Sequence, residues 1–570
     1  MGRDDAERSA PARVEGRRRA YTENAPRGNE LAVAISHAGP TGRTRAVRPA
    51  PFLQNSRMSR DSFKEATISG VRWVMLTRVI SEVVALGAIV LLARHVSPAG
   101  FGHAAVALIF VPLAGILTFE GFASALVQRT TVDESHRQVA MLTSLLGGAV
   151  LSLLVLALVP IVWRPVFGEE TAALIALVSP VFLFASLGTV SRATLWRRLD
   201  FRRMSLVDLS ATILGNVVPV VLVLAAGLGA TAIVLGALIQ VLFTALLLLA
   251  AAPPPLPRWH RSSQREIGGF GLAAALAGLV DVMFRNVDYA ILAARLPAAQ
   301  VGIYWRSFNL GVVYQDKLSS VMMQLAFPVY SRTESREHMR ALHERAARVH
   351  AAVIFPLLAS LIVLGPVVIP FVLGGEWIPA VRPAQILAIA GMVAAVLTGY
   401  PQVMLAVGRP RALLNFNVLM LVVYAALIAA TADLGLITIS IAVVGAYLLI
   451  LVGVYRFMLD RYLGISVARL VPELGPAIAG CLALAAVGEP LRRALYPTLG
   501  PAPTIVIAGT MGIAMYCLVL RRVSRPTWDD LIRLASRVLP IPRRPNRPAA
   551  SEPLGLAPQQ PRTAAAHPPV

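Results

Sequence analysis

The residues able to do chemistry are few, and they sit where the surrounding sequence is least hospitable to them. Arg78 and Glu82 interrupt an apolar run near 70–93, and Glu120 interrupts another near 101–127. Asp281, Arg285 and Asp288 fall in the run 268–294; Arg306, Asn309, Asp316 and Lys317 fall in 302–330. An ionisable side chain deep in a bilayer costs about 2.5–3.5 kcal/mol on insertion scales and generally faces an aqueous cavity or a partner. Arg78 and Glu82 are i,i+4 neighbours, and Asp281, Arg285 and Asp288 share one helical face. Arg306, Asn309, Asp316, Lys317, Ser320 and Gln324 form a polar stripe on the next helix. The expected arrangement is a polar cavity that takes a charged, hydrophilic cargo; the alternative is a set of salt bridges that locks three helices together. No DxD, HExxH or P-loop is present, so no catalytic residue, metal site or cofactor is assigned. His338, His343 and His350 are expected as surface histidines.

The elements that must hold these residues follow from composition. Hydrophobic residues make up 56% of the 570 and charged residues 15%, and mean hydropathy is +0.66. Ordinary globular domains have about 45–50% apolar and about 25% charged residues, so this is a membrane protein. Its two cysteines exclude a disulfide scaffold. Apolar segments long enough to span hydrocarbon, about 20 residues each, fall near 70–93, 101–127, 138–162, 171–191, 205–227, 230–252, 268–294, 302–330, 351–373, 383–407, 412–433, 436–458, 470–488 and 501–520. Backbone groups in lipid must be satisfied within their own segment, so all fourteen are expected as helices. Loops on one side carry clusters such as Arg197, Arg198, Arg202 and Arg203. The opposite loops carry only Arg94, Arg164, Arg295, Arg382, Arg492 and Arg493. The positive-inside rule then predicts that both termini are cytoplasmic. The formal net charge of +22 belongs chiefly to these loops and to the two ends, and nucleic acid is not needed to explain it.

A shift of 200 residues lays LARHVSPAGFG (92–102) over LAARLPAAQVG (292–302), with Gly102 on Gly302. Both copies close one helix and open the next. This predicts two six-helix lobes related by an axis along the membrane normal. The expected organisation is a disordered cytoplasmic tail at 1–63, an N-lobe at 64–267, a C-lobe at 268–462, two further helices at 463–522 and a second disordered tail at 523–570. Residues 1–60 lack an apolar run and cannot bury enough surface to fold; Met58 is the expected start. The stretch SREHMRALHERAARVH (335–350) has Met339, Leu342, Ala346 and Val349 on one face and is expected to lie on the membrane surface.

In this order and spacing, the segments Gly70–Trp73, LARHVSPAGFG, Gly121–Arg129, Asn286–Tyr289, VGIYWRSFNL (301–310), Phe327–Arg332 and Gly375–Trp377 resemble the polysaccharide transporter family. These are the Wzx-type oligosaccharide flippases of the multidrug/oligosaccharidyl-lipid/polysaccharide exporter superfamily. The resemblance runs from about 64 to 520. It implies an all-α polytopic membrane protein of two six-helix lobes plus two C-terminal helices, with helices 1, 2, 7 and 8 lining a central cavity. It implies alternating-access translocation of undecaprenyl-diphosphate-linked oligosaccharide across the bacterial plasma membrane. Arg78, Glu82, Arg285, Asp288, Arg306 and Lys317 become the expected substrate contacts, since arginine gives bidentate contacts to phosphate. Glu120, Asp281, Asn309 and Asp316 become candidates for coupling, to Na+ or H+, or for gating. Membrane lipid, the lipid-linked substrate, a polysaccharide polymerase and glycosyltransferases are the expected partners, and the chain is expected to be a monomer. The rival readings are an ion-coupled multidrug antiporter of the same superfamily and a membrane oligosaccharide polymerase or ligase.

Overall fold

The computed structural model describes residues 60–129, 131–317, 319 and 335–538, which form helices joined by short turns, with no strand among them. The segments 1–59 and 539–570, and with them Met58, lie outside the described residues. Twelve of the described helices are long and apolar enough to cross a membrane. The expected segment 302–330 runs partly outside the described residues, and neither it nor 268–294 is among those twelve. Large apolar side chains such as Leu153, Ile161, Phe457 and Leu482 stand exposed. That surface is a liability in water and the natural one in hydrocarbon, so the chain is a multi-pass membrane protein.

The first lobe contains α1 (Arg60–His95), α2 (Pro98–Leu108), α3 (Glu134–Ala157), α4 (Val159–Arg197), α5 (Phe201–Ala226) and α6 (Gly229–Ala251). The second contains α7 (Arg261–Ala293), α8 (Ala298–Phe308), α9 (Arg336–Leu373), α10 (Gly375–Ala406), α11 (Pro410–Thr431) and α12 (Leu436–Gly453). The lobes repeat one packing pattern, since α1 lies on α5 and α7 on α11. Two appended helices, α13 (Leu470–Leu499) and α14 (Pro501–Val523), pack on each other and on α9.

The seam between the lobes is α2 against α8, and the repeated sequence explains it. Ser97 caps α2, its Oγ accepting from the Gly100 N–H at 3.3 Å, with Pro98 in the first turn; Pro297 occupies the matching place before α8. One turn in, a Cβ on Gly102 would overlap the Ala298 carbonyl, and a Cβ on Gly302 would overlap the Pro98 carbonyl. Position 98 matches 298 and 102 matches 302 under the 200-residue shift, so each copy offers the other the same surface. Such reciprocity is the mark of a two-fold relation, and small residues at the crossing let the two backbones meet. Both seam helices lead on to π-turns, at Ile116–Ala123 and at Asn309–Val313. A π-turn breaks the regular hydrogen-bond ladder and often marks a functional site.

Two expectations change. The 335–350 stretch is no separate surface helix but the first four turns of α9. Its apolar face is covered by protein: Met339 is buried with Val454, Tyr455 and Leu459. His343 and His350 are buried too, leaving only His338 of the three exposed. Residues 525–538, expected within the C-terminal tail, form α15 (Arg525–Val538). Trp528 and Leu531, three apart, place one apolar edge on the core formed by α9, α13 and α14, and Asp530 accepts from Arg345 Nε at 2.9 Å and Nη2 at 2.5 Å. Trp528, Leu531, Ile532 and Ala535 recur at i, i+3, i+4 and i+7, a helical pattern within a segment that composition alone marks as polar.

Candidate functional site

A cavity of about 560 Å³ lies between the first lobe and α8. α1 contributes Thr77, Arg78, Ser81 and Glu82; α2 contributes Phe101 and Leu108. α8 and the π-turn that continues it contribute Trp305, Arg306 and Asn309, with Tyr314 and Lys317 just beyond. Five of the sequence-predicted residues, Arg78, Glu82, Arg306, Asn309 and Lys317, are thus brought to one space. Lys317 Nζ donates to Glu82 Oε2 at 3.0 Å, an ion pair that spans the lobes. Asn309 Nδ2 donates to the Trp305 carbonyl at 2.7 Å, which leaves its amide oxygen for the cavity.

Arg306 stands apart because its side chain is buried, 1% exposed. Its guanidinium lies over the rings of Phe101 (4.7 Å), Trp305 (5.1 Å) and Trp377 (5.6 Å). Tyr314 is a polar neighbour, yet Nε and Nη2 find no hydrogen-bond partner among the described residues. Cation–π contacts offset about 0.5–2 kcal/mol each. A buried donor left unmade costs about 1–3 kcal/mol, more when charged. The side chain is therefore held in place with its fork unsatisfied.

The α7 residues go elsewhere. Arg285 Nε donates to Asp281 Oδ2 at 3.0 Å and Nη1 to Asp316 Oδ2 at 2.5 Å. All three side chains are about half exposed, so this triad faces open space rather than packed core. Asp288 is fully buried inside the second lobe and does not line the cavity. The side chain of Glu120 lies outside the described residues.

Residues that the sequence did not assign to the site come mainly from α5 and α6: Ser205, Asp208, Thr212, Asn216 and Gln240 also line the cavity. Asn216 and Gln240 are each the single amide of their helix, a weaker signal than a charge but a usable one. Asp208 pairs with Arg192 at 2.8 Å.

The lobes meet at both ends of the cavity. At the end bearing Ser97 and Pro297, the proline end, Trp377 Nε1 donates to the Ala93 carbonyl at 2.8 Å, and Arg94 donates to the carbonyls of Val372 (3.2 Å) and Phe371 (2.6 Å). At the opposite, arginine-rich end, Glu266 at the start of α7 accepts from Arg129 Nη2 at 2.5 Å and lies 3.2 Å from His136 Nε2. His136 and Arg129 hold its carboxyl below the usual carboxylate range by hydrogen bonding.

Two helical lobes around a polar cavity, in a chain that crosses the membrane many times, define a transporter-like membrane protein. Residues 91–382 match the family described as "Polysaccharide biosynthesis protein", and the chain belongs to that family. It is similar to the lipopolysaccharide biosynthesis protein WzxC of Escherichia coli (strain K12), 27% identical over 363 residues, 63% of this chain and 73% of that one. It is also similar to the teichuronic acid biosynthesis protein TuaB of Bacillus subtilis (strain 168), 23% identical over 423 residues, 72% and 84% of the two chains. Among solved structures, the lipid II flippase MurJ in its inward closed conformation shares the fold, with a TM-score of 0.61, 16% identity, and 81% and 99% of the two chains covered. An inward-facing multidrug-resistance MATE transporter shares it at a TM-score of 0.53, 15% identity, and 68% and 95% coverage.

Proposed function

We propose that this protein is a flippase, without a catalytic step of its own, that moves undecaprenyl-diphosphate-linked oligosaccharide across the bacterial plasma membrane for polysaccharide biosynthesis. The observation that carries this is the buried, unsatisfied Arg306 fork at one end of a cavity that also holds Arg78 and Lys317. Guanidinium groups match the two oxygens of a phosphate. Family membership and the named roles of the relatives point the same way. A multidrug antiporter would need carboxylates free for cations, whereas Glu82 and Asp208 are already paired with Lys317 and Arg192.

Arg306 and Lys317 are eleven residues apart on one helix, about 16 Å at 1.5 Å per residue. Arg306 is held among its aromatic rings and Lys317 is held by Glu82, so the two serve as successive stations on one path. The arginine-rich end and both termini face the cytoplasm. The headgroup enters there, displaces Glu82 from Lys317, and reaches Arg306 as the proline end opens. The Arg285–Asp281–Asp316 triad lines the second-lobe wall of that path. A glycosyltransferase supplies the cargo and a polymerase consumes it; the transporter works as a monomer.

The test is flipping of a fluorescent polyprenyl-diphosphate oligosaccharide in proteoliposomes. R306Q and Lys317→Met are expected to lose most of the flipping rate at equal protein levels. Unchanged rates in both would overturn the reading, and so would transport of lipophilic cations instead.

A further inference from the structure

Asp281, Asp288 and Asp316 all lie off the cavity, but the surroundings of Asp288 are unlike those of the other carboxylates. It is 0% exposed. Oδ2 accepts from Tyr304 of α8 at 2.8 Å and from Tyr424 of α11 at 3.1 Å, and Oδ1 accepts from the Tyr289 N–H at 2.9 Å. Tyr447 of α12 lies nearby, with Tyr400 of α10 beyond it, and α10 also adds the apolar Leu387 and Ala390 to this cluster. Arg285, one turn away on α7, is committed to Asp281 and Asp316. No basic side chain pairs with Asp288 among the described residues.

A carboxylate so enclosed must be neutralised by a cation or a proton, because an isolated buried charge is far too costly to keep. The groups around it favour the proton. Two hydroxyls and an amide all present hydrogens to it, whereas sodium requires a shell of oxygen lone pairs. On the reading of the chain as a transporter, we propose that Asp288 is the proton-carrying group that couples a proton gradient to movement of α8. Protonation at Oδ2 turns that oxygen from acceptor into donor, so a tyrosine hydroxyl there must either rotate from donating to accepting or release it. Tyr304 is two residues before Arg306, and a change at Asp288 thus reaches the Arg306 fork through the shortest segment of α8.

The experiment uses the full-length protein in lipid nanodiscs and infrared difference spectroscopy across a pH series. Wild type is expected to show a carboxylic-acid carbonyl band that vanishes as pH rises, and Asp288→Asn is expected to lack it. Tyr304→Phe and Tyr424→Phe each remove a donor to the charged form, so each moves the disappearance of the band to higher pH. These two variants keep the test open if Asp288→Asn fails to fold. In proteoliposomes, a pH gradient is expected to change the wild-type flipping rate several-fold, and this response is lost in Asp288→Asn. The proposal is overturned if the band survives in Asp288→Asn, if wild type shows no titrating band, or if sodium rather than pH moves the spectrum. The infrared arm needs no substrate, so it can fail or succeed independently of the flippase reading.

Discussion

The two ends of the cavity are closed by different physics. At the proline end the lobes meet through backbone: the Gly102–Gly302 crossing, and the carbonyls of Ala93, Phe371 and Val372 taken by Trp377 and Arg94. Trp377 is fully buried there, and Arg306 sits in the same aromatic layer. At the arginine-rich end they meet through side chains, chiefly Glu266 with Arg129 and His136, at positions a third to a half open for Arg129 and Glu266. The first closure is shape-dependent and buried at its centre, with Arg94 on an exposed edge; the second is wet and titratable. A transporter that must open each end in turn gains from this inequality, because the two closures then respond to different stimuli.

The proline end should be broken most severely by bulk at its centre. Gly102→Val places a branched side chain against the Ala298 carbonyl, and nothing flexible is there to yield. Overpacking of this kind costs about 1–3 kcal/mol, the largest effect expected here, read as a fall in the Tm of the purified protein. The reciprocal geometry adds a sharper condition. Gly102→Ala and Gly302→Ala push the same two backbones apart, so the double variant should cost less than the sum of the singles. Strict additivity would mean that the two glycines do not share one contact.

A smaller effect is expected from the aromatic layer, with a change of sign inside it. Trp377→Phe keeps the ring against Phe101 but loses the hydrogen bond to the Ala93 carbonyl, worth about 0.5–1.5 kcal/mol, and should lower Tm modestly. Arg306→Met removes a buried charge whose Nε and Nη2 have no partner. Tm should hold or rise while flipping is lost, as expected when a site is kept unsatisfied for its ligand. A fall in Tm as large as that of Gly102→Val would make Arg306 a structural cation and remove it from the transport path.

What could be read in the sequence follows the same division. The Gly102–Gly302 pair was legible because only glycine fits a backbone crossing, so the residue type records the geometry. The cavity cations Arg78, Arg306 and Lys317 were legible because charge in hydrocarbon is rare. The carbonyls that close the proline end were not legible, since every residue carries one. The sorting of charges among partners was not legible either. Helical spacing grouped Asp288 with Asp281 and Arg285, but an i+7 step on a long helix crosses from open space at Asp281 to packed core at Asp288. Burial of His343 against Tyr455, at 3.2 Å, likewise depends on a helix more than a hundred residues away.

The arginine-rich end offers the smallest and most selective perturbation. Glu266 lies at the surface, so Glu266→Gln should leave Tm almost unchanged while loosening the junction of Arg129 and His136 with α7. Spin labels at Glu134→Cys and Arg265→Cys, with Cys481 and Cys517 replaced by serine, would report the distance across this end. Wild type should show one short, narrow distribution at neutral pH, and Glu266→Gln a broader one. Glu266 has a lowered folded-state value, so its contribution is complete above the ordinary glutamate value of about 4.3. It is lost as pH falls through the lower, folded value, once the protonated carboxyl no longer attracts Arg129. Wild type should therefore broaden only in that acid range, and Glu266→Gln should show no further change there. Added salt should weaken the wild-type closure as well, because exposed charges are screened, whereas the carbonyl closure at the proline end should ignore both. If acid or salt opened the proline end first, the assignment of the two closures would have to be reversed.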